Sequence, residues 1–303
     1  MNYKKFFPSR NIRAKILSLL DWIPNRIMVP LQYRIHTGRK LNLKNPQRFT
    51  EKIQVYKLKY RNPIMLQCTD KYTVRKYVTE KGLADILIPL IGIYNSPDEI
   101  DFDSLPNQFV AKTNDGGGGN QVFICREKCT IDKQAFINIL SDWMSQPKPQ
   151  KHIGREWAYE NCQPRRIIIE QMISDEKYHD IPDYKFYCFD GEPHYCQVIM
   201  NRRDNETIDF FDMEWNHQPF YGLNPKHGPA PKPAPKPAPK PAHFDTMKDI
   251  AKKLSGGFPF SRIDLYSTKS TVWFGEITFY PASGYGNFTP DEWDFYLGNL
   301  FDF

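Results

Sequence analysis

The sequence predicts an α+β fold, on three observations. From residue 62 onward, apolar runs of strand length alternate with stretches of helical periodicity. Several of those runs come in pairs separated by only a few turn-forming residues, as hairpin strands are. Three of them also carry an isolated carboxylate: Glu170 in RIIIEQMI, Asp264 in FSRIDLY and Glu276 in VWFGEITFY. With 303 residues, 40% of them hydrophobic, the chain can bury one large core or two modest ones.

The first 61 residues stand apart by charge. They hold fifteen Lys/Arg against only Asp21 and Glu51, a net +13, whereas the whole chain is +6, so the remaining 242 residues carry −7. Ile12, Ile16, Leu19, Leu20 and Ile23 recur at helical spacing among Arg10, Arg13 and Lys15, and Pro24 closes the segment. A basic amphipathic helix of this kind either meets an anionic membrane surface or polyanionic substrate, or packs its stripe on the main domain with its charges solvated. The second half, RFTEKIQVYKLKY, reads as a docked helix capped by Thr50 and stopped at Asn62-Pro63. No nucleic-acid-binding module accompanies the charge, so nucleic acid is not expected as a partner.

No apolar run approaches the roughly 20 residues that span a bilayer. MNYKKFFPSR lacks the apolar core and cleavage site of a signal peptide. Six cysteines form no CxxC pair, and the Cys125/Cys129 spacing is a weak metal signal, so reduced thiols are expected. These features together predict a cytoplasmic protein whose membrane contact, through residues 1–40, is peripheral on the inner face.

The body follows in order. Thr69 is placed to cap a helix through Lys71, Val74, Tyr77 and Val78 that ends at Gly82. LIPLIGIY, residues 87–94, is a buried strand. A strand over residues 109–112 runs into TNDGGGGN and resumes at residues 122–125. Four consecutive glycines let backbone N–H groups turn toward an anion, and Lys112 at the strand end adds a fixed positive charge, so the pair suits a phosphate clamp as well as a flexible turn. No Gly-Lys-Ser/Thr follows, which excludes a Walker loop.

Residues 132–144 form a helix with Phe136, Ile139, Leu140 and Trp143 inward, and residues 166–173 the next strand. DYKFYCF and EPHYCQVI alternate around an Asp190-Gly191 turn, with Asp183 and Lys185 on one face. Three Pro-Ala-Pro-Lys units and a final Pro-Ala, at about residues 228–242, read as an extended polyproline excursion on the surface. Asp245 is placed to cap a helix ended by Gly256-Gly257, and TPDEW to cap and open the last one, with Trp293, Tyr296 and Leu300 docking.

Asp264 and Glu276 lie on neighbouring strands twelve residues apart across a short turn. A carboxylate inside an apolar strand is costly unless paired. The two together suit a hard divalent cation; the alternative is ion pairs, Asp264 with Arg262 and Glu276 with another base.

Lys112 with its glycine loop, IIIEQMI, DYKF, SRIDLY and GEITFYPASG resemble ATP-grasp ligases, in which two α+β subdomains grip ATP. FTEKIQVYKLKYRNP, DKYTVRKYV, LIPLIGIY and FPFSRIDLY...FGEITFYPASG are more specifically similar to the TupA-like branch, named for teichuronopeptide synthesis and found with surface-polysaccharide genes. The resemblance covers roughly residues 45 to 300 and implies an ATP-grasp domain over 62–303 behind a basic helical arm over 1–61. It implies that Lys71 and Lys112 hold ATP phosphates under a loop of Gly116, Gly117, Gly118 and Gly119. Glu170 and the backbone of Gln171 and Ile173 would form the adenine hinge, with Asp183 at the ribose. Lys185 and Arg262 would face the phosphates, and Asp264 and Glu276 would hold magnesium. Thr278 stands where many ATP-grasp enzymes have a metal-binding Asn, Asp115 puts a negative charge beside the phosphate loop, and the basic arm replaces the usual leading domain.

The activity so implied is carboxylate–amine ligation through an acyl phosphate, with ATP and Mg2+ as cofactors and Arg262 and Lys185 as the catalytic cations. The acceptor would be a uronic acid of an acidic glycan or its precursor, and the amine an amino acid or peptide. Two alternatives stay open: a sugar transferase, either kinase or glycosyltransferase, and a non-catalytic glycan- or membrane-binding module.

Overall fold

A computed structural model describes residues 16, 19–117, 121–146, 152–160, 164–176, 178, 180–202, 205–224 and 232–303. Its strands form two antiparallel sheets and a small ribbon, the α+β architecture expected. The first sheet has the order β1 (Leu90–Tyr94), β4 (Ile167–Gln171), β2 (Phe109–Thr113), β3 (Val122–Cys125). The second runs β10 (Val272–Thr278), β9 (Phe260–Ser267), β5 (Asp183–Phe189), β6 (Glu192–Met200), β7 (Thr207–Asp212), and β8 (Tyr221–Asn224) pairs with β11 (Asn287–Thr289).

Among the described residues, the complete helices are α1 (Asn25–Thr37), α2 (Phe49–Lys59), α3 (Ile64–Thr69), α4 (Val74–Glu80), α5 (Lys133–Ser145), α6 (Phe244–Ser255) and α7 (Glu292–Asn299). α5 starts where Asp132 accepts the Ala135 N–H at 2.6 Å, and it closes one face of the first sheet through Phe136 and Leu140 against Phe109, Ala111, Ile167 and Ile169. Lys112, Ile168 and Glu170 alternate onto the opposite face.

The second sheet is covered differently on its two faces. Tyr184, Phe186 and Cys188 pack toward α6, Phe186 stacking on Phe244. On the other face the β5/β9 register sets out pairs in order: Phe189 with Phe260, Tyr187 with Arg262, Lys185 with Asp264, Asp183 with Tyr266. Phe49 of α2 and Phe301 cover the aromatic end of this row. The polar row begins where that aromatic layer stops.

Several helix starts differ from expectation. Thr69 ends α3 rather than opening a helix, because Asp70 turns the chain by accepting the N–H groups of Tyr72 and Thr73, and α4 follows only at Val74. α2 begins at Phe49, and Glu51 reaches back to the Gln47 and Arg48 N–H groups. Thr50, expected as the cap, donates instead to Asp294 of α7. Asp245 lies inside α6, after His243, and Asp291 rather than Thr289 precedes α7. The first strand starts at Leu90, behind a 3₁₀ turn at Ala84–Ile86.

Within the basic N-terminal region, α2 contributes Phe49, Ile53 and Tyr56 to the main core. The helix expected around Ile12–Ile23 lies largely outside the described residues. The Pro-Ala-Pro-Lys segment is described from Lys232, and it does more than skirt the surface. The Lys232 carbonyl accepts the Ile208 N–H at 2.9 Å, the Ala234 N–H donates to Asp209, and Ala238 is buried in the main core. Laid along edge strand β7, prolines that cannot donate blunt an edge otherwise open to another strand.

Candidate active site

Strand register assembles the site. Lys185, Asp264 and Glu276 lie side by side on β5, β9 and β10, with Arg262 and Thr278 opposite each other one step along the same face. Glu276 comes level with Asp264 only because the β9/β10 register shifts between Phe274 and Glu276. Gly275 permits that bulge: a Cβ there would sit 2.9 Å from the Asp264 carbonyl oxygen.

The row is dense in charge. Arg262 grips Asp264 with two nitrogens, Nε at 2.7 Å and Nη2 at 2.8 Å, and Nη2 also reaches Glu276 Oε1 at 3.3 Å and Thr278 Oγ1 at 3.2 Å. Lys185 Nζ is paired with Asp264 and lies 3.8 Å from Asp183, which is also paired with Arg202. Burial pushes the Asp264 carboxyl up, against the opposing pull of Arg262 and Lys185. Glu276 goes the other way: despite desolvation, Lys71, Lys185 and Arg262 hold it down at about 2. Its side chain is 44% exposed, so an ionised carboxylate stands at the open side of a cation-lined row. Arg262 is raised, the carboxylates outweighing its burial.

The sequence alternative of ion pairs therefore describes part of this geometry, since Asp264 is matched by Arg262 and Lys185. Glu276 is the more open of the two carboxylates. The two readings are compatible, because the oxygen donors that pair with these cations are also of the type a hard divalent ion takes.

On the first sheet, Lys112 Nζ pairs with Glu170 at 2.5 Å, and Arg75 lies 3.4 Å from the same carboxylate. Glu170 is thus occupied with cations, and the Gln171 N–H donates to the Pro89 carbonyl at 3.0 Å. Ile173 lies just past the end of β4. Lys71 reaches the Gly116 carbonyl, so it touches the opening of the glycine loop while its charge is felt at Glu276. Gly116 and Gly117 follow Thr113–Asp115; Gly118 and Gly119 lie outside the described residues. Asp115 is balanced by Arg165, whose Nε lies 2.9 Å from Oδ2.

Sequence reasoning passed over Arg75, Arg165 and Arg202, the cations that match Glu170, Asp115 and Asp183. Arg75 and Arg165 are remote in sequence from their partners, with no local spacing to signal them, whereas Arg202 lies just past β6, the hairpin partner of the strand that carries Asp183. Equally unsignalled is Lys57 of α2, fully buried beneath the turn after β10. It donates to the Ser283 carbonyl at 2.6 Å, to Ser283 Oγ, to the Gly154 carbonyl at 3.1 Å and to Gln54, and Glu156 lies 3.8 Å away. Burial lowers its ammonium to about 8. The turn it holds is unusual, with Ala282, Ser283 and Gly284 all at positive φ.

The model of the TupA-like ATPgrasp family matches residues 51–302. The chain belongs to the TupA-like ATP-grasp family. Both sheets, the glycine loop opening and the charged row fall within that match. Solved structures similar to this chain include D-alanine–D-alanine ligase from Bacillus anthracis, at 18% identity and a TM-score of 0.38, covering 70% of this chain and 57% of that one. The corresponding ligase from Helicobacter pylori gives 14% and 0.40, covering 77% and 58%. ATP-grasp ligase PsnB, complexed with a precursor variant, Mg and ADP, gives 11% and 0.39, covering 73% and 53%. The chain spans a little over half the length of these proteins. A comparison with curated proteins gives no match.

Proposed function

We propose that this chain is an ATP-dependent carboxylate–amine ligase that joins an amino acid or peptide to a uronic acid of a surface polysaccharide or its precursor. One observation carries the reading: within a TupA-like ATP-grasp chain, Arg262 is held by Asp264 and Glu276 on adjacent strands and Lys185 by Asp264, with Lys71, which touches Gly116, acting on Glu276. A neutral sugar or peptide has no use for that concentration of cations. A triphosphate does.

A carboxylate is a poor electrophile. In the proposed reaction one of its oxygens attacks the γ-phosphorus of ATP, the bond to the bridging oxygen breaks, and ADP leaves; the amine nitrogen then attacks the acyl carbon, phosphate departs with its electron pair, and the nitrogen loses a proton. Arg262 and Lys185 neutralise charge on the transferring phosphoryl and acyl oxygens, being already oriented and needing no reorganisation. Lys112, on β2 of the first sheet, and Lys71, in the turn between α3 and α4 beside Gly116, hold the phosphates. Asp264 and Glu276, with the Thr278 hydroxyl beside them, fit a hard divalent cation: the donor set is oxygen, and Glu276 is ionised and partly open. Among the described residues no group of three or more His, Cys, Asp or Glu converges, which suits a cation completed by phosphate oxygens rather than caged by protein. When bound, it would neutralise phosphate charge.

The test is ADP release by the purified chain with Mg2+ and a panel of uronic acids, acidic oligosaccharides and their neutral counterparts, each with and without amino acids. The reading expects ADP release that requires both a carboxylate and an amine. Release driven by neutral sugars would replace the ligase with a kinase, and no nucleotide turnover with a sugar nucleotide consumed would replace it with a glycosyltransferase.

A further inference from the structure

The outward face of α1 is an apolar stripe with nothing of the described chain laid over it. Ile27, Leu31 and Ile35 recur at i, i+4 and i+8 and are 56%, 49% and 40% exposed, and Trp22, just before the helix, is 78% exposed. On a helix these positions step by only about 40° per repeat, so the three side chains form one continuous ridge.

That ridge cannot rotate inward, because the opposite face is fixed. Val29 and Tyr33 are buried against Leu41 and Tyr285, the Tyr33 hydroxyl bonds Thr50 at 3.0 Å, Gln32 is held by Tyr285 and the Ile153 carbonyl, and His36 stacks on the Tyr285 ring at 4.6 Å. The turn leading into α1 is fixed as well. Buried Arg155 donates to the carbonyls of Leu20 and Ile23 and to Asn25, so Trp22 is held outward by a built support rather than left on a loose end.

Charge identifies the occupant. Residues 1–40 contain nine Lys/Arg and only Asp21, and Arg26 and Arg34 are exposed on α1 itself, beside the apolar ridge. A second copy of this chain would bring the same positive excess to the same face, and like charges across an interface repel. A ridge of large aliphatic side chains, a Trp at its end and arginines alongside match the headgroup boundary of an anionic bilayer, where the rings and methyls enter the acyl region and the cations meet phosphate.

We infer that α1, with the turn carrying Trp22, is a membrane-docking face that lays the chain on an anionic lipid surface through Trp22, Ile27, Leu31 and Ile35. The stripe expected from the sequence over Ile12–Ile23 is mostly outside the described residues, and the face assigned here is carried by α1. No helix among the described residues is long and apolar enough to cross a membrane, so the contact is an in-plane one. The inference stands apart from the ligase proposal, and neither needs the other.

The experiment is co-sedimentation of the full chain with phosphatidylcholine vesicles with and without phosphatidylglycerol, at low and high salt, alongside light scattering without lipid. The chain is expected to bind only the anionic vesicles and to be released by salt. An Ile27→Ser/Leu31→Ser variant is expected to bind about tenfold or more weakly with an unchanged melting temperature. Trp emission is expected to shift to the blue on binding, and the shift to diminish in Trp22→Phe, which reads the face directly whatever the serine variant does. Equal vesicle binding by the serine variant, a blue shift that survives Trp22→Phe unchanged, or no vesicle binding at all would overturn the inference. A lipid-free dimer dispersed by the serine substitutions would do the same, assigning the face to a second copy.

Discussion

Glu276→Gln separates the ion pairing seen in the carboxylate row from the metal binding proposed for it. In the apo chain Glu276 accepts from Arg262 at 3.3 Å and from Thr278 at 3.2 Å, and its side chain is 44% exposed. Arg262 keeps its two-pronged grip on Asp264 without it. Loss of the charge therefore strands no buried donor, and the cost should resemble that of an exposed pair, up to about 1 kcal/mol. Nucleotide-linked stability is another matter. At a hundredfold excess over Kd, a ligand that binds only the folded chain adds about 2.7 kcal/mol. At roughly 2–4 °C per kcal/mol for a chain of this order of size, that raises Tm by about 5–10 °C. Thermal unfolding with and without MgATP should show this rise in the wild-type chain. The variant should melt within about 4 °C of wild type when free and show little or no rise with MgATP. If the free variant were destabilised by more than about 3 kcal/mol, Glu276 would be a structural ion-pair member; if it kept the full MgATP shift, the metal and nucleotide assignment would fail.

Other substitutions test neighbouring parts of the account. Asp264→Asn should behave differently from Glu276→Gln, costing about 3–5 kcal/mol in urea unfolding, because it leaves Lys185 and Arg262 without their shared buried partner. Asp294 is fully buried and caps α2 from α7 by accepting the Thr50 N–H at 2.9 Å and hydroxyl at 2.8 Å, and burial raises its carboxyl. Asp294→Ala should cost about 3 kcal/mol and Asp294→Asn, which keeps an acceptor, about 1 kcal/mol; equal melting of the two would refute the cap. Lys57, lowered to about 8, loses its proton in the folded chain before the unfolded one does, so its contribution makes stability rise with pH between about 8 and 10.5. Lys57→Met should remove that rise, as read by unfolding across this pH range, and a slope left intact would show that the buried ammonium does not titrate as assigned.

The strands and their charges were legible from sequence because each signal is local. The period-2 alternation of DYKFYCF and the Asp190-Gly191 turn fix a hairpin within a dozen residues, and both glycine-loop strands and the Asp264/Glu276 pair follow the same logic. Helix starts were less legible. Thr69, Asp245 and Thr289 all have cap chemistry, yet a cap is chosen by which backbone N–H groups remain open after packing, and here Asp70 and Glu51 served adjoining turns. The described part of the Pro-Ala-Pro-Lys segment is mostly exposed, as its composition suggests; what composition does not signal is Ala238, small enough to enter the core under Trp215, whose indole N–H bonds its carbonyl at 3.1 Å. Arg75 and Arg165 were invisible because a cation's partner is set by tertiary fold, whereas its sequence neighbours set only its strand or helix.

Trapping the activated acid is the most direct test of the central claim that this chain activates a carboxylate with ATP. With MgATP, a uronic acid from the panel and hydroxylamine as the amine, the account predicts hydroxamate and ADP formed one for one, and neither in Glu276→Ala. ADP formed with a saturating carboxylate but without hydroxamate would contradict it.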